Sequence, residues 1–217
     1  MPPESAPEQS TQNDVTNSRL DTLVDGVFAI VLTLLVLDIK APQSLSDAEL
    51  TQKLLELSPK FFTYVLSFII LGLFWFGHQL VSRYIKRSDH IHVLLSLLYL
   101  MCIAFIPFSA ALLGENGQLR VAAIVYGINL LATGSLRCFH WEYATGNHRL
   151  VDPHLDPRLI AKTRQAFLVI PIFYSVAIAI SFFSVSLSLA LYTISPFLGG
   201  LRMNSAFRHS RIREREK

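Results

Sequence analysis

Charge is what this sequence has least of. Asp, Glu, Lys and Arg make up 16% of its 217 residues, against roughly a quarter in an ordinary soluble domain. Apolar residues make up 52%. Between Arg164 and Arg202 there is no charged side chain at all. A helix over that stretch would run ~55 Å, far more than one core helix needs. This scarcity excludes an ordinary soluble enzyme and points to several membrane-spanning helices. Cysteine is scarce too. Cys102 and Cys138 lie inside apolar stretches without Cys-x-x-Cys spacing, which excludes a disulfide framework and a zinc site. Residues 1–18 contain no Lys, no Arg and no apolar run. They read as a disordered N-terminal tail rather than a signal peptide.

Catalytic signatures are missing as well. The apolar spans hold no HExxH motif, no Ser/His/Asp set and no paired catalytic carboxylates. The reading is therefore not an enzyme, and it needs no cofactor. The net charge of +3 does not imply nucleic acid, because the basic residues fall between apolar spans instead of forming one stripe. Placed there, they set membrane orientation.

What the sequence does have is apolar segments of crossing length. Six are predicted, over 21–39, 61–80, 91–113, 119–141, 167–183 and 187–201, against the ~17–25 residues a bilayer demands. The charge-free run supplies the last two as a hairpin, and Pro107 and Pro171 are candidate kinks. Together these make an all-α, polytopic domain over 19–201, followed by a basic C-terminal tail over 202–217. Six crossings put both termini on one side. That side then carries Arg19, the 83–87 and 137–164 basic residues and the basic tail, while the other holds only Lys40, Lys53, Lys60 and Arg120. The excess places both termini in the cytoplasm.

The first segment stands apart. It reads RLDTLVDGVFAIVLTLLVLDI, Arg19 to Ile39, and Thr33 is its only polar side chain between Asp25 and Asp38. Carboxylates at that depth rarely face lipid, so this helix belongs inside the bundle. At about 100° per residue, Gly26, Ile30, Thr33, Leu34 and Leu37 share one stripe, while Asp25 lies about 140° from Ile30 and Asp21 about 180°. The carboxylates are expected to meet neighbouring helices. The stripe allows two readings: close helix packing at a small residue, or the wall of a pore. His78, His90, His92 and His140 gather towards one end of their helices. A haem or copper site is conceivable there, but His90 and His92 point about 200° apart on a helix. The histidines read instead as hydrogen-bonded polar groups near Arg19 and Asp25.

The first segment resembles the first helix of the prokaryotic branch of the transmembrane protein 175 family of potassium channels. The matching residues are Arg19, Asp25, Ala29, Ile30, Thr33, Leu34, Leu35, Val36 and Leu37. The similarity continues in FIILGLFWFGH, Phe68 to His78, in FIPFSAALLGEN, Phe105 to Asn116, and over Arg137 to Tyr143. Where the family has Phe-Ser-Asp, this chain has Leu23-Val24-Asp25. The resemblance implies a homotetramer in a bacterial-type cell membrane, with the first helix of each subunit lining a central pore for potassium ions. Ile30, Leu34 and Leu37 would form the hydrophobic constriction, and Thr33 the hydroxyl ring that favours potassium. Arg19, Asp25 and His78 would form a structural network between helices. No TVGYG-type loop is present, so side chains rather than backbone carbonyls would select the ion. The alternative is a small secondary transporter with Asp25 as its coupling carboxylate.

Overall fold

The computed structural model describes residues 6–198, with side chains from residue 17 onward. Regular structure within them is helical, apart from one isolated β-bridge between Ile85 and Val151. Helix α1 spans Ala6–Leu34 and tightens into a 3-10 turn over Leu35–Asp38. It begins well before the apolar run, so residues 6–18 are helical where the sequence suggests a tail without structure. After Pro7 this stretch holds no Gly or Pro, and an existing helix extends cheaply over such residues once nucleated.

Helix α2, Asp47–Glu56, was not among the predicted elements. It starts at a capping motif, with the Ser46 hydroxyl accepting from the Glu49 N–H at 3.3 Å. Helix α3 spans Ser58–Ser82. The third predicted crossing is two helices, α4 over His90–Ala104 and α5 over Ile106–Glu115. The break falls at Phe105, beside Pro107, whose missing N–H cannot continue the ladder. Helix α6 covers Arg120–Thr145 and α7 Pro157–Ser181. Pro171 sits inside α7 without ending it.

Helix α7 starts earlier than the 167 expected. The Asp156 carboxylate caps it, accepting from the Arg158 N–H at 2.8 Å, and Pro157 occupies its first turn. Arg158, Lys162 and Arg164, read from the sequence as loop charges, therefore ride on helical turns. One of them, Arg164, pairs with Glu142 of α6 at 2.6 Å.

Five stretches among the described residues are long and apolar enough to cross a membrane: Asn17–Asp38, Ser58–Ser82, His90–Glu115, Arg120–His148 and Pro157–Ser181. The sixth predicted crossing corresponds to α8, Val185–Leu198, a shorter apolar helix. Residues 199–201 of that crossing and the basic 202–217 tail lie outside the described residues. Helix α8 is nonetheless firmly docked. Tyr192 is fully buried, stands edge-on to Tyr126 at 5.5 Å and donates to the Ala123 carbonyl at 3.0 Å. Gly127 makes this possible, since a Cβ there would lie 2.1 Å from the Tyr192 hydroxyl.

The most extensive helix pairing is α6 with α7, and α1 rests on α4 and α3. Val24, Phe28, Leu71, Tyr99, Ile103 and Leu130 lie at the shared core. At the end of the bundle away from the 83–89 loop, Lys60 of α3 pairs with Glu115 of α5 at 2.9 Å.

Candidate functional site

Helix α1 divides into two faces. Leu20, Val24, Phe28, Val31 and Leu35 recur every three or four residues and are buried. Phe28 meets Tyr99 of α4 with 6.1 Å between ring centroids. The other face is open. Ile30 is 59% exposed and Leu37 69%, and Gly26, Thr33 and Leu34 are exposed beside them. A side chain added at Gly26 would meet nothing within 4 Å. Within one subunit, therefore, this stripe is largely open.

The stripe has a defined polarity. The Thr33 hydroxyl donates its proton to the Ile30 carbonyl at 2.7 Å. What it presents outward is an oxygen with free lone pairs, which suits a cation and not an anion. The 3-10 turn that follows brings residues three apart into eclipse, so Leu37 stacks over Leu34 along the helix axis.

The carboxylates meet α3. Asp25 Oδ1 accepts from Trp75 Nε1 at 2.8 Å and from Gln79 Nε2 at 2.6 Å. One turn earlier, Asp21 Oδ2 accepts from the Ser82 hydroxyl at 2.6 Å. Asp21 Oδ1 lies 3.5 Å from His78 Nε2, close enough for an ion pair but not aligned as a hydrogen bond. Two successive turns of α1 are thus pinned to two turns of the antiparallel α3.

The residues expected as one network separate on inspection. Asp25 lies in it. His78 joins through Asp21 rather than Asp25, and its ring stacks on Tyr99 at 6.1 Å. Arg19 is exposed and pairs with no carboxylate among the described residues. Trp75, Gln79 and Ser82 were missed by the sequence reading. The spacing of 75, 78, 79 and 82 marks one helix face and carries that signal. Buried His92 bonds His140 at 2.6 Å, Nδ1 to Nε2, while His90 is exposed. No group of three or more His, Cys, Asp or Glu among the described residues is placed to hold a metal ion.

At the same end, Asp89 caps α4, accepting from the His92 N–H at 2.8 Å and from the Tyr143 hydroxyl at 2.5 Å. Burial pushes its carboxyl up, but these bonds and the nearby Arg149 outweigh that and hold it below the usual carboxylate range.

Comparison with known proteins identifies the fold and the family. The family model described as the endosomal/lysosomal potassium channel TMEM175 matches residues 19–107, which include α1 from Arg19 onward, α3 and α4. A potassium channel of Chamaesiphon minutus is 35% identical over 205 residues, covering 92% of this chain and 98% of that protein. A potassium channel of Streptomyces collinus is 33% identical over 180 residues, covering 81% of this chain and 87% of that one. The crystal structure of a lysosomal potassium-selective channel TMEM175 homolog from Chamaesiphon minutus superposes with a TM-score of 0.77 at 33% identity, over 88% of this chain and 99% of the other. This chain is a multi-pass, all-α membrane protein, and it belongs to the TMEM175 family.

Proposed function

We propose that the chain assembles as a homotetramer that conducts potassium and related monovalent cations passively, through a pore walled by four copies of α1. The observation that carries this reading is the open stripe of Ile30, Thr33, Leu34 and Leu37 on a helix whose opposite face is fully packed. Rings of Ile30, Leu34 and Leu37 form a constriction that water wets poorly, so a cation crosses only with partial loss of hydration. Four Thr33 oxygens, each with its proton committed to a backbone carbonyl, offer ligands beside that ring. Selectivity then comes from side chains. The named potassium channels among the relatives, matched over most of their length, support the same ion.

The transporter alternative requires Asp25 on the ion path. Its two bonds to α3 and its position across the helix from Ile30 favour a structural tie instead. In this reading Asp25 and His78 hold α1 in place, and Arg19 lies at the same end of the helix. The distribution of basic residues supports a cell-membrane orientation with both termini in the cytoplasm.

The test is recording from purified full-length protein in a planar bilayer with potassium on one side and sodium on the other. Unitary currents with a reversal potential displaced towards that of potassium are expected. Flux that saturates and requires a coupled gradient, without unitary currents, would contradict a channel.

A further inference from the structure

Arg137 was counted from the sequence among the loop charges that orient the chain. The structure buries it inside α6 at 8% exposure. Its guanidinium carbon stands 4.3 Å from the centre of the Phe167 ring, and Nη1 donates to the Phe74 carbonyl at 3.1 Å. Helix α3 leaves room for it at Gly77, where a Cβ would lie 1.9 Å from Nη2. Neither Nε nor Nη2 has a hydrogen-bond partner. Thr163, 1% exposed, has an unpartnered hydroxyl as well. Glu142, further along the same helix, is committed to Arg164.

A buried cation without a counter-charge is costly, and the cost falls when an anion is supplied. Arg137 and Thr163 line one narrow, open-sided crevice between α3, α6, α7 and α8, whose enclosed volume is about 50 Å³. Its other walls are mostly apolar, among them Ile70, Leu73, Ile170 and Phe173, and the Tyr174 and Ser195 hydroxyls there bond each other at 3.2 Å. Nε and Nη2 are the side-on edge of a guanidinium, which matches two phosphate oxygens at once.

Depth narrows the occupant further. Gly77 precedes the end of α3 at Ser82, and Thr163 follows the start of α7 at Pro157. Each lies roughly 8–9 Å inside its helix end at about 1.5 Å per residue. These helices are 25 residues long, so they overhang a ~30 Å hydrocarbon core by a few ångströms on each side. Arg137 therefore sits near the boundary between acyl chains and headgroups. The same membrane face carries Lys86, Arg87, Arg149, Arg158 and Lys162, which concentrate anionic lipid.

The geometry points to a binding site for an anionic phospholipid, with its phosphate held by Arg137 Nε, Arg137 Nη2 and Thr163 Oγ1 and an acyl chain laid along the apolar wall. No α1 residue lines this crevice, so the site is separate from the stripe and does not depend on what the stripe conducts.

The test is native mass spectrometry of the full-length protein titrated with dioleoyl phosphatidylglycerol or dioleoyl phosphatidylcholine. The anionic lipid is expected to bind at least about tenfold more tightly. Arg137→Met, which keeps bulk without charge, is expected to remove that preference. Thr163→Val is expected to weaken the anionic lipid about three- to fivefold. Inorganic phosphate at millimolar concentration is expected not to displace it. Equal binding of the two lipids, or full retention by Arg137→Met, would overturn the site. Displacement by inorganic phosphate would assign it to a free anion. Binding seen only after deletion of residues 202–217 would assign it to the chain's own tail. Should Arg137→Met not assemble, the wild-type lipid comparison and Thr163→Val decide.

Discussion

The two faces of α1 follow opposite rules. Towards α3 and α4, apolar side chains are buried and Asp21 and Asp25 are met by donors from Ser82, Trp75 and Gln79. Towards the outside, Ile30, Thr33, Leu34 and Leu37 stand exposed in the subunit. Lipid would cover apolar side chains there without penalty. It would gain nothing from a threonine oxygen whose lone pairs point outward. The contrast separates what holds the helix from what the helix presents. Substitutions on the packed face should cost assembly, and substitutions on the open face should change permeation.

The largest expected effect is on the packed face. Phe28→Ala empties a fully buried site against Tyr99 and is expected to cost about 3–5 kcal/mol, read as a lower melting temperature and loss of the monodisperse species in detergent. Asp25→Asn comes next. It keeps an acceptor but loses the charge on two hydrogen bonds, a cost of about 1–2 kcal/mol. Thermal melting is expected to fall while the potassium-to-sodium ratio holds. A variant with normal stability and altered ion preference would move the carboxylate onto the pathway.

Effects on the open face are smaller in stability and specific in function. Ile30→Asn places polar groups at the constriction and is expected to raise unitary current several-fold and blur ion preference. Thr33→Ala removes the hydroxyl oxygens and is expected to lower potassium preference over sodium with expression unchanged. The smallest effect belongs to Asp89, away from both faces. Its carboxyl lies lower in the folded chain than its ordinary value. The stability it adds is therefore complete above that ordinary value and is lost as pH falls through the folded-state value. Asp89→Asn is expected to flatten this acid limb of a melting-temperature profile by lowering the melting temperature slightly at neutral pH, with little change at acid pH.

Much of this contrast was legible in the residues. The apolar spans follow from hydropathy and length, and the division of α1 follows from a 3.6-residue period applied to Asp21, Asp25, Ile30 and Thr33. Elements that depend on local chemistry were harder. Helix α2 is announced only by the Ser46–Glu49 cap, and the early start of α7 only by Asp156-Pro157. The partners of Asp25 are legible as a face of α3 but not as partners, because pairing across helices depends on packing. Arg137 was misread for a similar reason. A lone arginine near a span end is read as a topology signal, and only the opening at Gly77 and the Phe167 ring show where it lies.

The central claim, that α1's open face walls the ion path, is tested most directly by one paired recording. Ile30→Asn and Val36→Asn are compared at matched protein amounts in asymmetric potassium and sodium. Val36 is also exposed, at 47%, but its place in the 3-10 turn points it roughly 80–120° from Ile30. A pore along the stripe predicts a large change in current and ion preference for Ile30→Asn and nearly wild-type permeation for Val36→Asn. Equal changes in both, or none in Ile30→Asn, would contradict it.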